Sequence, residues 1–206
     1  MIDARARIMV APVLARVAGR LDRRGVSPDA LTLAGVGAGL LSVGAILLHW
    51  WWIALGGWWA NRVLDGLDGA LARRRTPSEI GGYLDLVADF FIYGALVGSL
   101  GYAIPSARVA SLFLLVAYYL SGTALLAGSA IIARRGAPDE ERSLIFLGGL
   151  AEGTETIVAM SLIMVHPGWA VPVEVGFGVM VMVTFVQRVA GALSILRTRD
   201  VTGGER

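Results

Sequence analysis

The chain has 206 residues, of which 56% are hydrophobic and 17% charged, with a mean hydropathy of +0.67. That balance excludes an ordinary soluble domain, and a cysteine count of zero excludes disulfides, thiolate metal centres and thiol catalysis. All 18 basic residues are arginine, so no lysine Schiff base is available, and the isoelectric point near 9.4 reflects arginine clusters between apolar runs rather than nucleic-acid binding.

The apolar runs recur at about 20 residues, long enough to cross a hydrocarbon core of ~30 Å. The expected fold class is all-α: a polytopic membrane protein of six transmembrane helices preceded by an N-terminal amphipathic interfacial helix. Residues 1–206 read as a single membrane domain, with the interfacial helix at 1–24 and the six-helix bundle at 29–196. In the first segment Val10, Val13, Leu14, Val17 and Leu21 keep helical spacing, while Arg16, Arg20, Arg23 and Arg24 lie mostly off that stripe. Charge follows the apolar stretch, which fits an interfacial helix better than a signal peptide. Ser27 before Pro28 predicts an N-cap and first helical position, and the first span follows over 29–49, with Gly35/Gly39 and Ala34/Ala38 permitting close helix packing.

Trp50, Trp51 and Trp52 read as an aromatic belt at the far interface. The second span returns over 52–74 and ends in Arg73, Arg74 and Arg75. The third is expected over 80–102, with Gly94/Gly98 as a further small pair suited to a homodimer or to packing within one bundle. The fourth runs over 107–133, the fifth over 143–165 and the sixth over 170–196. His49 and His166 fall at span ends and read as interfacial residues rather than zinc ligands. Arginines gather in the segments predicted inside, whereas the outer segments hold only Arg108. The positive-inside rule then puts both termini on the cytoplasmic face of a bacterial inner membrane.

Within this apolar frame stand four carboxylates, Asp65, Asp68, Asp85 and Asp89. Each is costly in a span, by about 2.5–3.5 kcal/mol on insertion scales. At 100° per residue, Asp65, Asp68, Gly69 and Ala72 share one helix face, widened by Asn61, Arg62 and Arg73. Gly81, Asp85 and Asp89 form a stripe at spacing four on the next span. Two antiparallel neighbours joined by a short turn bring both pairs together near the inner leaflet. Oxygen-only ligands select hard divalent cations, Mg²⁺ or Mn²⁺, and two carboxylate-bridged metals are one way to run phosphoryl transfer. Structural ion pairing with Arg62 and Arg73, or a cation or proton pathway as in a transporter, are the competing readings. A transporter would be expected to show broken helices or inverted repeats, and the sequence shows no repeat.

Asp65, Asp68, Gly69, Ala72, Arg73, then Gly81, Asp85 and Asp89, fill the pattern Asp-x-x-Asp-Gly-x-x-Ala-Arg, spacer, Gly-x-x-x-Asp-x-x-x-Asp. In this the chain resembles the CDP-alcohol phosphatidyltransferase family of integral membrane enzymes. Seven residues separate Arg73 from Gly81, one fewer than that family's spacer, and the difference falls in the arginine-rich turn. The resemblance implies transfer of a phosphatidyl group from CDP-diacylglycerol to a small polar alcohol, with release of CMP. It implies two divalent metals held by Asp65, Asp68, Asp85 and Asp89. It further implies that Asp65, Gly69, Ala72 and Arg73 bind the cytidine diphosphate and that Asp89 is the general base.

The acceptor is less constrained. A phosphorylated acceptor needs cations, for which Arg134, Arg135, Arg142 and the intramembrane Arg188 are candidates. Glu152 and Glu155 are possible partners for Arg188. Glycerol 3-phosphate is the expected acceptor, and inositol phosphate, serine, choline or another alcohol are the alternatives.

Overall fold

The computed structural model describes the backbone of residues 2–75, 78–134, 150–151 and 153–203, and side chains from residue 9 to 197 within these ranges. Every regular element among them is helical. The order is α1 (Ile2–Arg23), α2 (Pro28–Leu47), α3 (Trp51–Ala72), α4 (Glu79–Ala103), a 3₁₀ turn (Pro105–Ala107), α5 (Arg108–Arg134), α6 (Gly153–Val165), a second 3₁₀ turn (Pro167–Trp169) and α7 (Ala170–Gly203). Four stretches are long and apolar enough to cross a membrane: Pro28–Leu47, Glu79–Ala103, Pro105–Arg134 and Pro167–Arg197. Helix α3 matches them in length but carries Arg62, Asp65 and Asp68. The expected fifth span corresponds to α6, described over 13 residues; residues 143–149 and Glu152 lie outside the described residues.

Local chemistry sets the helix starts. Ser27 caps α2, its Oγ accepting from the Ala30 N–H at 3.2 Å, with Pro28 at the first position. Ser78 does the same for α4 through the Gly81 N–H at 3.3 Å. At the far end, Leu48 and His49 close α2, His49 at a φ of 60°. The His49 ring sits 3.1 Å from the Ala103 carbonyl oxygen and edge-on to Trp51. His166 stacks on Trp169 at 4.9 Å.

Small residues let the helices bearing the acidic motif close up. A Cβ on Gly57 would stand 2.9 Å from the Ala38 carbonyl oxygen and 3.0 Å from the Ser42 nitrogen, and Ser42 Oγ donates to the Ala54 carbonyl at 2.7 Å. Gly39 lies under the Ile92 side chain in the same way, so α2 is wedged against both α3 and α4. The main core runs through Ile46, Trp58, Ile92, Leu96, Leu114, Met160 and Ile163, all essentially inaccessible. A smaller cluster of Ala18, Leu31, Leu67 and Leu71 seats α1 across α2 and α3. Gly94 and Gly98 pack against nothing among the described residues.

Candidate active site

The site is built on the α3–α4 hairpin. Asp65 and Asp68 lie one turn apart near the end of α3, and the chain re-enters α4 at Glu79 after a short turn. That brings Asp85 across from them. Each of Asp65, Asp68 and Asp85 offers a carboxylate oxygen within 4.8 Å of the others. Such a set of oxygens suits a hard divalent cation, and its mutual repulsion would be relieved by one. Asp68 is 4% exposed, and Thr32 from α2 donates its hydroxyl to Asp68 Oδ2 at 2.8 Å. Helix α2 thereby orients an acid of α3.

Asp89, one turn further along α4, points to a different partner. Arg62 Nη2 donates to Asp89 Oδ1 at 2.8 Å, while its Nη1 donates to the Tyr93 hydroxyl at 2.7 Å and lies 3.6 Å from Asp65 Oδ2. The Arg62 Nε donates to Asn61 Oδ1 at 2.8 Å, and Asn61 in turn donates to the Gly35 carbonyl at 2.9 Å. The guanidinium lies against the rings of both Trp58 and Tyr93, 4.9 Å from each centroid, in the corner formed by their edge-to-face contact. Arg62 is thus the buried floor of the acidic site, with a 6% exposed side chain, while Asp65 and Asp89 remain about one-third open at 32% and 30%.

The remaining motif residues flank the open side. Gly69 and Ala72 lie one and two turns beyond Asp65, and Arg73 closes the helix with its side chain exposed. A Cβ on Gly69 would stand 3.4 Å from Arg73 Nη1, so the glycine leaves the guanidinium room to lie along the helix. Gly81 faces Asp29 of α2, 3.6 Å from where its Cβ would be.

The arginines expected at an acceptor are less gathered. Arg188 turns toward α5, where Nη1 donates to Ser121 Oγ at 2.8 Å and to the Ser121 carbonyl at 3.1 Å. Arg134 ends α5 exposed, and Arg135 and Arg142 lie outside the described residues. Two contributors were not singled out from the sequence as part of the site. Tyr93 extends the Gly81–Asp85–Asp89 stripe by one more step of four, and that spacing was the available signal. Thr32 ends the family-like stretch 27–32, but its pairing with Asp68 depends on how α2 meets α3.

Among the solved structures similar to this one is the phosphatidylinositol phosphate synthase of Mycobacterium tuberculosis. In complex with manganese and citrate it matches with a TM-score of 0.67 and 23% identity, covering 87% of this chain and 88% of that one. With CDP-DAG bound it matches with a TM-score of 0.67 and 21% identity, covering 88% and 94%. At such identities the likeness speaks for the fold. In sequence the chain is 36% identical over 200 residues to the Escherichia coli inner membrane protein YnjF, covering 95% of this chain and 97% of that protein. Residues 25–194 match the family model for CDP-alcohol phosphatidyltransferases. With the aspartates, small residues and arginine of the motif lying on one hairpin of that fold, the chain belongs to the CDP-alcohol phosphatidyltransferase family.

Proposed function

We propose that this enzyme transfers the phosphatidyl group of CDP-diacylglycerol to the hydroxyl of a small polar alcohol and releases CMP. The observation that carries the reading is the convergence of Asp65, Asp68 and Asp85 within 4.8 Å, beside the helix face that bears Gly69, Ala72 and Arg73. Asp65, Asp68 and Asp85, with Asp89 closing the set, would hold Mg²⁺ or Mn²⁺, two ions in the reading favoured here. The ions would supply neutralising charge to the diphosphate and to the departing CMP.

The chain's own residues supply the rest. Gly69 and Ala72 leave space for the nucleotide against α3, with Asp65 alongside it, and Arg73 presents a planar fork to a phosphate. Asp89 has one oxygen held by Arg62, which fixes its orientation as a base. The acceptor hydroxyl gives its proton to Asp89 as its oxygen bonds to the lipid-bearing phosphorus. The bond from that phosphorus to the CMP oxygen breaks, and CMP carries away the electron pair.

The acceptor favoured is glycerol 3-phosphate, with Arg134, Arg135, Arg142 and Arg188 as the cations nearest in role; inositol phosphate, serine and choline are the other outcomes of an acceptor screen. The arrangement in the membrane is six spans with both termini and the site facing the cytoplasm of a bacterial inner membrane, α1 lying in the interface, and one domain over 1–206. The arginine distribution supports that topology. The open face at Gly94 and Gly98 is where a homodimer would close.

The test is release of CMP from CDP-diacylglycerol by the purified chain across a panel of water-soluble alcohols, with and without divalent metal. Asp89→Asn is expected to lower transfer by about 10²–10⁴-fold. Unchanged transfer in that variant would remove Asp89 as the base, and metal-independent release would remove the reading as a whole.

A further inference from the structure

A second charged feature lies on α1, apart from the aspartates. Arg16, Arg20 and Arg23 follow at spacings of four and three, share a helix face and are all exposed. Arg74, from the turn after α3, comes up against that face. The end atoms of its guanidinium lie 3.5–3.7 Å from where a Cβ on Gly19 would stand, and Gly19 is buried beneath them. With Ala15, these residues line an open recess of about 420 Å³.

The recess is short of negative charge. The acid beside it, Asp22, is already engaged: its Oδ1 accepts from Arg75 at 2.8 and 2.9 Å, and its Oδ2 lies 3.8 Å from Arg74. Among the described residues no carboxylate pairs with Arg16, Arg20 or Arg23. Guanidinium groups converging on an open recess suit an anion with several acceptor oxygens, which can take forks from more than one arginine at once. The same helix says what such an anion is attached to. Leu14, Val17 and Leu21 pack inward on Leu67 and Leu71, while Met9, Val10 and Val13, one to two turns before the recess, are 78%, 48% and 55% exposed. Cations next to uncovered apolar side chains match an anionic head carrying an acyl tail.

We propose that this recess binds the phosphate of an anionic phospholipid, at a position separate from the aspartate site, with Met9, Val10 and Val13 against its acyl chains. Arg74 is the neighbour of Arg73 on the α3–α4 turn, so a lipid held there also ties α1 to that turn.

The full-length chain, purified in detergent and offered equal amounts of phosphatidylglycerol and phosphatidylcholine, is examined by native mass spectrometry. Retention of phosphatidylglycerol is expected to exceed that of phosphatidylcholine by about tenfold. The R16Q/R20Q/R23Q variant is expected to lose the preference, R16K/R20K/R23K, which keeps the charge without the fork, to keep part of it, and Asp68→Asn, altered at the aspartate site, to keep all of it. Equal retention by the unsubstituted chain, or a preference that survives the triple glutamine variant, would overturn the proposal. Displacement of the lipid by millimolar inorganic phosphate would overturn its lipid part, since the recess would then be taking any free phosphate.

Discussion

Arg62 and Asp89, 27 residues apart on neighbouring helices, meet at 2.8 Å, with the arginine side chain 6% exposed. The pair joins α3 to α4 at the depth where the acids converge. It also gives Asp89 a fixed partner that Asp65 shares only at its edge, through the 3.6 Å approach of Arg62.

Removing the arginine strands a carboxylate. Arg62→Gln is expected to destabilise the protein by about 1–3 kcal/mol, since the carboxylate left behind is about one-third open to solvent, and adding Asp89→Asn should recover part of that loss. Equilibrium unfolding in mixed micelles, followed by tryptophan fluorescence because Trp58 stacks on the guanidinium, measures both variants and their coupling.

The Thr32 hydroxyl orients Asp68 from a third helix. Thr32→Ala is therefore expected to weaken Mn²⁺ binding by about 10–100-fold with little change in unfolding, read by electron paramagnetic resonance of free Mn²⁺. Chelation by EDTA should stop CMP release from the unsubstituted enzyme, and Mg²⁺ or Mn²⁺ should restore it.

Gly57 and Gly56 make a paired test of helix approach. Alanine at 57 meets backbone atoms of Ala38 and Ser42 at 2.9 and 3.0 Å, whereas alanine at 56 meets nothing within 4 Å. Gly57→Ala should cost about 1–3 kcal/mol. Gly56→Ala should be neutral or stabilising by up to about 1 kcal/mol, through helix propensity alone. The same unfolding measurement decides.

At the opposite end of the bundle Glu174 is fully buried, with Ser111 Oγ donating to its Oε2 at 2.8 Å and its Oε1 without a partner among the described residues. Ser111→Ala is expected to cost about 1–3 kcal/mol. The same substitution in a Glu174→Gln background should cost less, because a neutral side chain is the less demanding one to leave unpaired.

The aspartate motif was legible from the sequence because its residues repeat at helical spacing on two adjacent segments, and spacing fixes a helix face without any tertiary information. The Ser27–Pro28 start of α2 was legible for a similar reason, since a cap is local chemistry. Choice of partner across helices was not. The partners of Arg62 and Thr32 depend on the relative rotation and register of α2, α3 and α4, which the close approaches at Gly39 and Gly57 set. Arg188 shows the same limit: an intramembrane arginine announces that it needs a partner, and the structure supplies a serine on α5. Glu174 stands alone in an apolar run, and Ser111, its donor, is 63 residues away. Trp58 follows the Trp50–Trp52 belt by six residues yet is fully buried, because it lies on the face of α3 that carries Arg62.

All four motif acids belong to one helical hairpin closed by a short turn. Helix α2 packs on both α3 and α4, through Gly57 and Gly39, so the acids are brought together once α2, α3 and α4 have assembled, and all three precede α5, α6 and α7 in the chain. Those later helices carry Arg134 and Arg188 but none of the motif acids. The demand of holding four carboxylates in place therefore falls on the first half of the chain alone.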